Sequence, residues 1–488
     1  MPKPSRNARA QNSTRLSDLF GIDLRSLAVF RIALAGLILV DLVYRSRVME
    51  AFYTDGGVLP RSLVDPPLQG FSLHLLSGSG AFQWLLFVMA GVFALLLLLG
   101  FQTRLATLGS WLFLTSLHVR NLHLVNAGDD WLRAMLLWSV LLPLGARWSL
   151  DARRARWKMP GPVFLSVASA ALLLQFAYVY LCAGFTKSGP EWHSAGTAVE
   201  ATLGQSHWVR PFGQFLGEYP GLLKILTPTI VYFEIGAALL LFLPLFTSRV
   251  RGLMIVSFWL FQAGLGVSLQ LNLFPWIASA ATLPFIPSSF WNKLSRRISW
   301  LAERNLAHEG ARSSTRQRPL GALWFWRLQQ ALVVFLIAWV VASAVTHHLA
   351  LNSPGLRRVR SVGYIFGLLP TWDMYAAPSP QASSYEVTAK LKDGTVIDLL
   401  QAPDVGRQAW RMRRSHYGKL YLAEMAKRHT QSNERQQYLM WFCQHWNRDK
   451  PAERQIENVK FFEVKRNILA PGSLRRDLLI EGDFSRPE

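Results

Sequence analysis

An all-α polytopic membrane bundle of about nine transmembrane helices, carrying a small C-terminal α+β domain, is the fold this sequence predicts. Three observations point to it. Apolar residues make up 51% of the 488 and gather in long blocks such as Trp84-Leu-Leu-Phe-Val-Met-Ala-Gly-Val-Phe-Ala-Leu-Leu-Leu-Leu-Leu-Gly100. A bilayer span needs about 20 such residues. The formal charge of +22 is carried by short Lys/Arg clusters between the blocks, which is the pattern of the positive-inside rule and not of a nucleic-acid surface. The lipid bilayer is therefore the expected partner, and nucleic acid is not. Last, the chain after residue 385 abandons long apolar runs for short alternating and amphipathic segments.

Residues 1–23 form a basic tail (Lys3, Arg6, Arg9, Arg15), expected in the cytoplasm. The first span, about Leu24–Tyr44, carries Arg31 and Asp41. Ionisable groups at membrane depth are costly unless paired, so each is a candidate functional residue. No small-residue cleavage site follows this span, so it reads as retained. A loop over 45–81 leads to spans at about 82–100 and 105–125. Asn126-Ala-Gly-Asp129-Asp130-Trp-Leu-Arg133 then opens a fourth, running to about Leu144. Asp129 or Asp130 suits a helix N-cap, and Asp129 and Arg133 lie one helical turn apart, where they could pair.

The fifth span, Val163–Phe185, ends in Thr186-Lys187-Ser-Gly-Pro-Glu191-Trp192. Two more follow at about 223–246, with Glu234 inside, and 250–271. The eighth, about 273–290, is broken by Pro275, Pro284 and Pro287. A basic cytoplasmic segment over 291–320 places Trp291, Leu294, Ile298 and Leu301 at helical spacing, the pattern of an interfacial helix. The ninth span, about 323–350, completes a membrane domain over 24–350. A linker over 351–384 contains Trp372-Asp-Met-Tyr-Ala-Ala-Pro378, and an outer-face α+β domain occupies 385–488. There, Tyr385–Leu391 and Thr395–Leu400 read as a hairpin about Lys392-Asp393-Gly394. Residues 415–429 and 433–447 read as helices, and Glu457–Asn467 as a further strand. With nine spans the basic loops share one face. The N-terminus is then cytoplasmic and the C-terminal domain lies on the outer side of the inner or plasma membrane.

Chemistry concentrates at Lys187. A lysine at the edge of an apolar cavity loses hydration, which disfavours its charged form, and a neutral amine can act as a general base. The plainer reading is an interface lysine paired with Glu191 or with lipid phosphate. No phosphate-cradling glycine loop, serine-nucleophile elbow or metal-spaced His/Cys cluster is present, so no metal is expected. Cys182 and Cys443 are the two cysteines, too few for a disulfide framework.

The segment Gly184-Phe-Thr-Lys187-Ser-Gly-Pro-Glu191-Trp192 resembles the stretch of vitamin K-dependent γ-carboxylases that carries their catalytic lysine. Leu24-Arg-Ser-Leu-Ala-Val-Phe-Arg31 and Leu141-Leu-Pro-Leu-Gly-Ala-Arg-Trp-Ser-Leu-Asp151 are similar to the bacterial branch of that superfamily, the HTTM (horizontally transferred transmembrane domain) group. Trp372-Asp-Met374-Tyr375-Ala-Ala-Pro378 resembles the signature that follows the last span in such proteins. The resemblance implies that Lys187 deprotonates a reduced quinone, with Glu191, Trp192, Asn126, Asp129, Asp130, Arg133 and Arg31 positioning base or substrate. One departure stands out: the carboxylases carry an Asn-His pair where this chain reads Asn126-Ala127.

The expected activity is that of a multi-pass membrane protein using Lys187 on a quinone-like, lipid-soluble substrate at the outer face. Two alternatives stay open at this point. One is a non-enzymatic scaffold or maturation factor that binds a secreted partner through residues 385–488. The other is a transporter, although no internal repeat of the spans is visible.

Overall fold

The computed structural model describes residues 16–64, 72–155, 161–205, 208–298, 320–348, 353, 355, 363, 366–368, 372–402, 406–427, 432–448, 450–469, 472 and 474–483. Most of the N-terminal tail, the 299–319 half of the basic segment and most of the 351–371 linker lie outside them.

Asp23 starts the membrane body. Its carboxylate accepts the backbone N–H of Arg25 (2.8 Å) and caps helix α1, Leu24–Ser46. Just ahead of it, strand β1 (Ile22–Asp23) pairs with β2 (Val163–Phe164). Helix α2, Gly80–Leu99, is capped by Ser79 and stopped by Gly100 at φ +66°, a left-handed position that favours glycine. α3 (Thr103–Arg120) and α4 (Ala127–Ser139) follow, then α5 (Val167–Thr186), which opens on a Ser166/Ser169 capping box. Two short helices, α6 (Ala198–Leu203) and α7 (Pro211–Gly217), lead into α8 (Pro220–Leu240) and α9 (Thr247–Ser268). α10 (Phe274–Ala280), α11 (Ser288–Arg297) and α12 (Leu320–His348) complete the body.

Six helices among the described residues are long and apolar enough to cross a membrane: α1, α2, α5, α8, α9 and Arg327–Thr346 within α12. Their outward faces are apolar too. On α2, Trp84, Leu85, Val88, Val92, Leu95 and Leu99 are all exposed, as lipid-facing positions are and water-facing ones are not.

Three of the nine spans expected from the sequence, including the eighth with its expected proline breaks, are not among these six, for identifiable reasons. α3 turns Thr107, Ser110, Thr115, Ser116 and His118 inward, so it is helical but polar. α4 has 13 residues. The eighth expected span splits into α10, a 3-10 turn at Leu283–Phe285 and α11. Pro275 sits in the first turn of α10, Pro284 in the 3-10 turn and Pro287 before α11, where a missing N–H is tolerated. α11 covers the described part of the expected interfacial segment, with Trp291 buried and Lys293, Arg296 and Arg297 outward or half-outward.

The body has two chemically distinct ends. One gathers the β1/β2 pair, Arg31 and Asp151. Asp151 accepts the Gln102 N–H and the Thr103 N–H and hydroxyl, at 2.9, 2.8 and 2.6 Å. The other end carries the C-terminal domain, a four-stranded antiparallel sheet of order β4-β3-β5-β6. Its strands are β3 (Gln381–Leu391), β4 (Val396–Asp398), β5 (Ile456–Asn467) and β6 (Leu474–Gly482). Val387, Ala389, Leu391, Val459 and Phe461 form its buried core with Tyr438, Phe442 and Cys443 from the helices. Those helices are α13 (Arg407–Arg414), α14 (His416–Met425) and α15 (Ser432–Asn447). The sequence reading had β3, β4, β5, α14 and α15, but not α13 or β6. β6 is an edge strand without a fully buried residue, so its alternation is weak.

Directed hydrogen bonds seat this domain on the body. Tyr417 donates to Asp41 Oδ1 (2.5 Å), Tyr421 to the Val58 carbonyl (3.3 Å), Gln437 to the Gly57 carbonyl (3.1 Å) and Lys419 to Gln270 (2.8 Å). His416 packs edge-on against Trp208 at the seam (5.5 Å between centroids). Burial there, with Arg45 and Lys419 nearby, pushes its imidazole down to about 4, so it is neutral near pH 7.

Candidate functional site

The site is built where α5 ends. Lys187 closes that helix, its N–H bonded to the Gly184 carbonyl (3.2 Å). Its side chain turns back inward: Nζ donates to the Ala183 carbonyl (2.9 Å) and to Glu234 Oε2 (2.7 Å). Lys187 is 3% exposed and Glu234 6%. Gly184 explains how the two meet. A Cβ there would overlap Ile235 on α8, so only a glycine lets α5 approach the helix that carries Glu234.

The turn after Lys187 is held from several sides. His193 Nε2 donates to the Lys187 carbonyl (2.9 Å), and the Ala198 N–H donates to the Glu191 carbonyl (3.0 Å). The Glu191 carboxylate folds over Gly189, so the acid that meets Lys187 is Glu234. Trp192 is buried, with its ring centroid 5.3 Å from Lys187 Nζ. Its indole donates to the Tyr375 and Ala376 carbonyls, both at 3.0 Å. The Trp372–Pro378 motif therefore returns to the lysine, and Tyr375 adopts φ +58° there, a left-handed conformation that costs energy in a non-glycine residue.

Lys187 and Glu234 face a cavity of about 270 Å³, lined mainly by apolar groups that include Trp131, Val179, Phe261, Leu265, Phe274 and Met374. Phe212 and Leu260 also line it and are outward-exposed; on that side one layer of side chains separates the cavity from the lipid-facing surface. A second, wider cavity of about 590 Å³ lies between the body and the C-terminal domain, and Thr202, Leu269, Phe274, Met374 and Tyr375 line both. Its polar rim includes Asn126, Gln270, Ser383, His416, Lys427 and Glu463. The deep chamber thus suits an apolar ligand, and the outer one adds a polar rim to a mainly apolar wall.

The residues expected around Lys187 divide into three sets. Trp192 adjoins it. Asn126 lines the outer chamber and is the N-cap of α4, accepting from the Gly128 and Asp129 N–H groups, while Asp129 accepts the Asn126 N–H. The cap expected of Asp129 or Asp130 is therefore made by Asn126, with Asp129 as the third residue of its capping box.

The ion pairing also differs from the expected Asp129–Arg133 contact. Arg133 pairs with Asp130, one turn back. Asp129 pairs with Arg45 of α1 (3.0 Å), which also holds Asp41 (2.8 Å). Tyr53 accepts from the same guanidinium (3.0 Å), and Tyr417 covers it, ring centroid 4.5 Å from Cζ. One ligand atom from each of Asp41, His118 and Asp129 lies within 4.8 Å of the others, but Arg45 already supplies the positive charge between the carboxylates.

Arg31 is not brought to the site. It lies near the other end of α1, about 21 Å of helix from Arg45. There it donates to the carbonyls of Leu144, Arg147 and Trp148 at 3.2, 3.4 and 2.6 Å. This is packing of a chain reversal.

Sequence reasoning passed over Glu234, Arg45 and Tyr417 as partners of these groups. Glu234 did carry a signal, an acid inside an apolar run. Tyr417 carried none, because its contact with Asp41 joins positions 376 residues apart.

No curated protein and no solved structure matches the chain. The HTTM domain model matches residues 21–291, a segment that holds α1 to α10, both carboxylate–guanidinium clusters, Lys187 and Glu234. On that match the chain is a member of the HTTM domain family, and its six long apolar helices mark it as an integral membrane protein.

Proposed function

We propose that the protein is a membrane enzyme that moves a proton at a lipid-soluble, quinone-like substrate held against Lys187. The observation that carries this reading is an amine and a carboxylate, both buried, on the wall of an apolar cavity. Placing two charged groups there costs more than hydrophobic packing would, so stability alone gives no reason for the pair. It does offer a proton relay. Transfer of one proton from Nζ to Glu234 Oε2 across 2.7 Å leaves a neutral amine beside a carboxylic acid. The amine then takes the proton of a substrate hydroxyl, and the resulting ammonium balances the oxyanion formed. Trp192 and the Tyr375 turn hold the lysine in place, and Asn126 faces whatever polar group occupies the outer chamber. Substrate enters from the bilayer past Phe212 and Leu260. A secreted partner acting through the C-terminal domain would reach the same outer chamber.

The test is retention and turnover. Full-length protein purified from its native membrane in mild detergent carries a quinone-class lipid detectable by mass spectrometry. Lys187→Ala retains the lipid and loses proton abstraction from an added reduced quinone by about 10²-fold or more. Unchanged turnover in that variant refutes the reading.

The body crosses the bilayer nine times, six by full-length helices and three by α3, α4 and the broken segment 273–290. This puts the N-terminus in the cytoplasm and the C-terminal domain outside, with Arg104, Arg147, Arg249 and Arg251 on the inner face. A reporter active only in the cytoplasm, fused after residue 488, stays dark in this topology; a bright fusion reverses it.

A further inference from the structure

A second polar pair lines the Lys187 cavity. Gln262 on α9 is 1% exposed and Tyr180 on α5 is 4% exposed. Gln262 Nε2 donates to the Tyr180 hydroxyl at 2.9 Å. In that orientation Gln262 Oε1, a buried acceptor, has no hydrogen-bond partner among the described residues. An unpaired buried polar atom is unfavourable. Because Tyr180 accepts from Gln262, its own proton stays available for donation. Lys187 Nζ reaches back to the Ala183 carbonyl, about 4.5 Å along the helix axis from Tyr180. The two polar stations are therefore neighbours on one apolar wall.

Resting on the substrate reading above, we propose that Gln262 is the residue that selects the redox state of the substrate. Its carboxamide oxygen accepts a hydrogen bond from a ring hydroxyl, so the cavity prefers the reduced dihydroxy form over the oxidised dicarbonyl form. A carbonyl placed there sets two lone pairs against each other and leaves the amide oxygen unpaired. A hydroxyl satisfies it. Sites built to pair a ligand hydroxyl reject analogues lacking it far more strongly than apolar pockets discriminate by size. Gln262 acts on binding and orientation only; proton abstraction stays with Lys187.

The test titrates the full chain in detergent, under anaerobic conditions, with decylubiquinol and with decylubiquinone. Quenching of tryptophan fluorescence reads occupancy, since Trp131 and Trp192 line the cavity. The expected result is roughly tenfold tighter binding of the reduced probe. Gln262→Leu brings the two affinities together, while Gln262→Glu, which keeps an acceptor, retains the preference. Equal affinities in the unmodified protein overturn this inference and leave the Lys187 relay standing. An undiminished preference in Gln262→Leu does the same. Binding of neither probe to the unmodified protein sinks both.

Discussion

Glu234→Leu destabilises the protein by about 3–5 kcal/mol, because it strands the Lys187 ammonium in an apolar wall without its counter-charge. Lys187 is left with the Ala183 carbonyl as its hydrogen-bond partner, and Trp192 as a cation–π neighbour. A carbonyl dipole does not replace a carboxylate at 2.7 Å. The informative variant is the double one. In Lys187→Met/Glu234→Leu both charges go, side chains of similar volume fill the wall, and stability returns to within about 1–2 kcal/mol of the unmodified protein. Turnover does not return. Thermal unfolding in detergent and the turnover assay, run side by side, separate a structural ion pair from a working one. A double variant that is both stable and active would show that the pair is scaffolding.

Arg45→Leu is the second large effect, at about 3–5 kcal/mol. It removes the guanidinium that holds Asp41 at 2.8 Å and Asp129 at 3.0 Å and leaves two buried carboxylates near each other. The consequence extends past α1. Tyr417 donates to the free oxygen of Asp41 and lies over the same guanidinium, so losing Arg45 loosens the C-terminal domain as well as the body. Hydrogen exchange reads this as loss of protection in α14, together with a lower melting temperature. Tyr417→Phe, which removes one hydrogen bond to a charged group, costs about 1.5–3 kcal/mol and leaves the body intact. If α14 stays fully protected in Arg45→Leu, the cluster does not couple the two parts.

These two clusters show how far the chain could be read in one dimension. Lys187 stood out because it ends a long apolar run ahead of a Gly-Pro break. Glu191 looked like its partner because it is four residues away. The partner is 47 residues away, since Gly184 allows α5 to meet α8. Asp129 and Arg133 have helical spacing that suits an ion pair, yet each found a different partner. Arg133 turned to Asp130, and α1 presented Arg45 to Asp129. Local spacing names the pairs that are permitted. It cannot rank them against partners from other helices, which compete for the same charge once the bundle closes.

By itself the sequence determined the membrane class, the order of helices, the strand–helix–strand character of the last hundred residues and the lysine at the end of α5. Those follow from apolar run length and residue period, which are properties of neighbours in the chain. The break in the eighth span was legible from its prolines, but only the tertiary structure decided that α3 turns a polar face inward and that α4 is short. It also decided that Arg31 braces the far end of α1 and that Lys187 faces Glu234 across a cavity shared with the Tyr375 turn. A buried charge takes its role from whatever the fold places within about 4 Å of it, because in a low-dielectric interior the nearest partner dominates its energy.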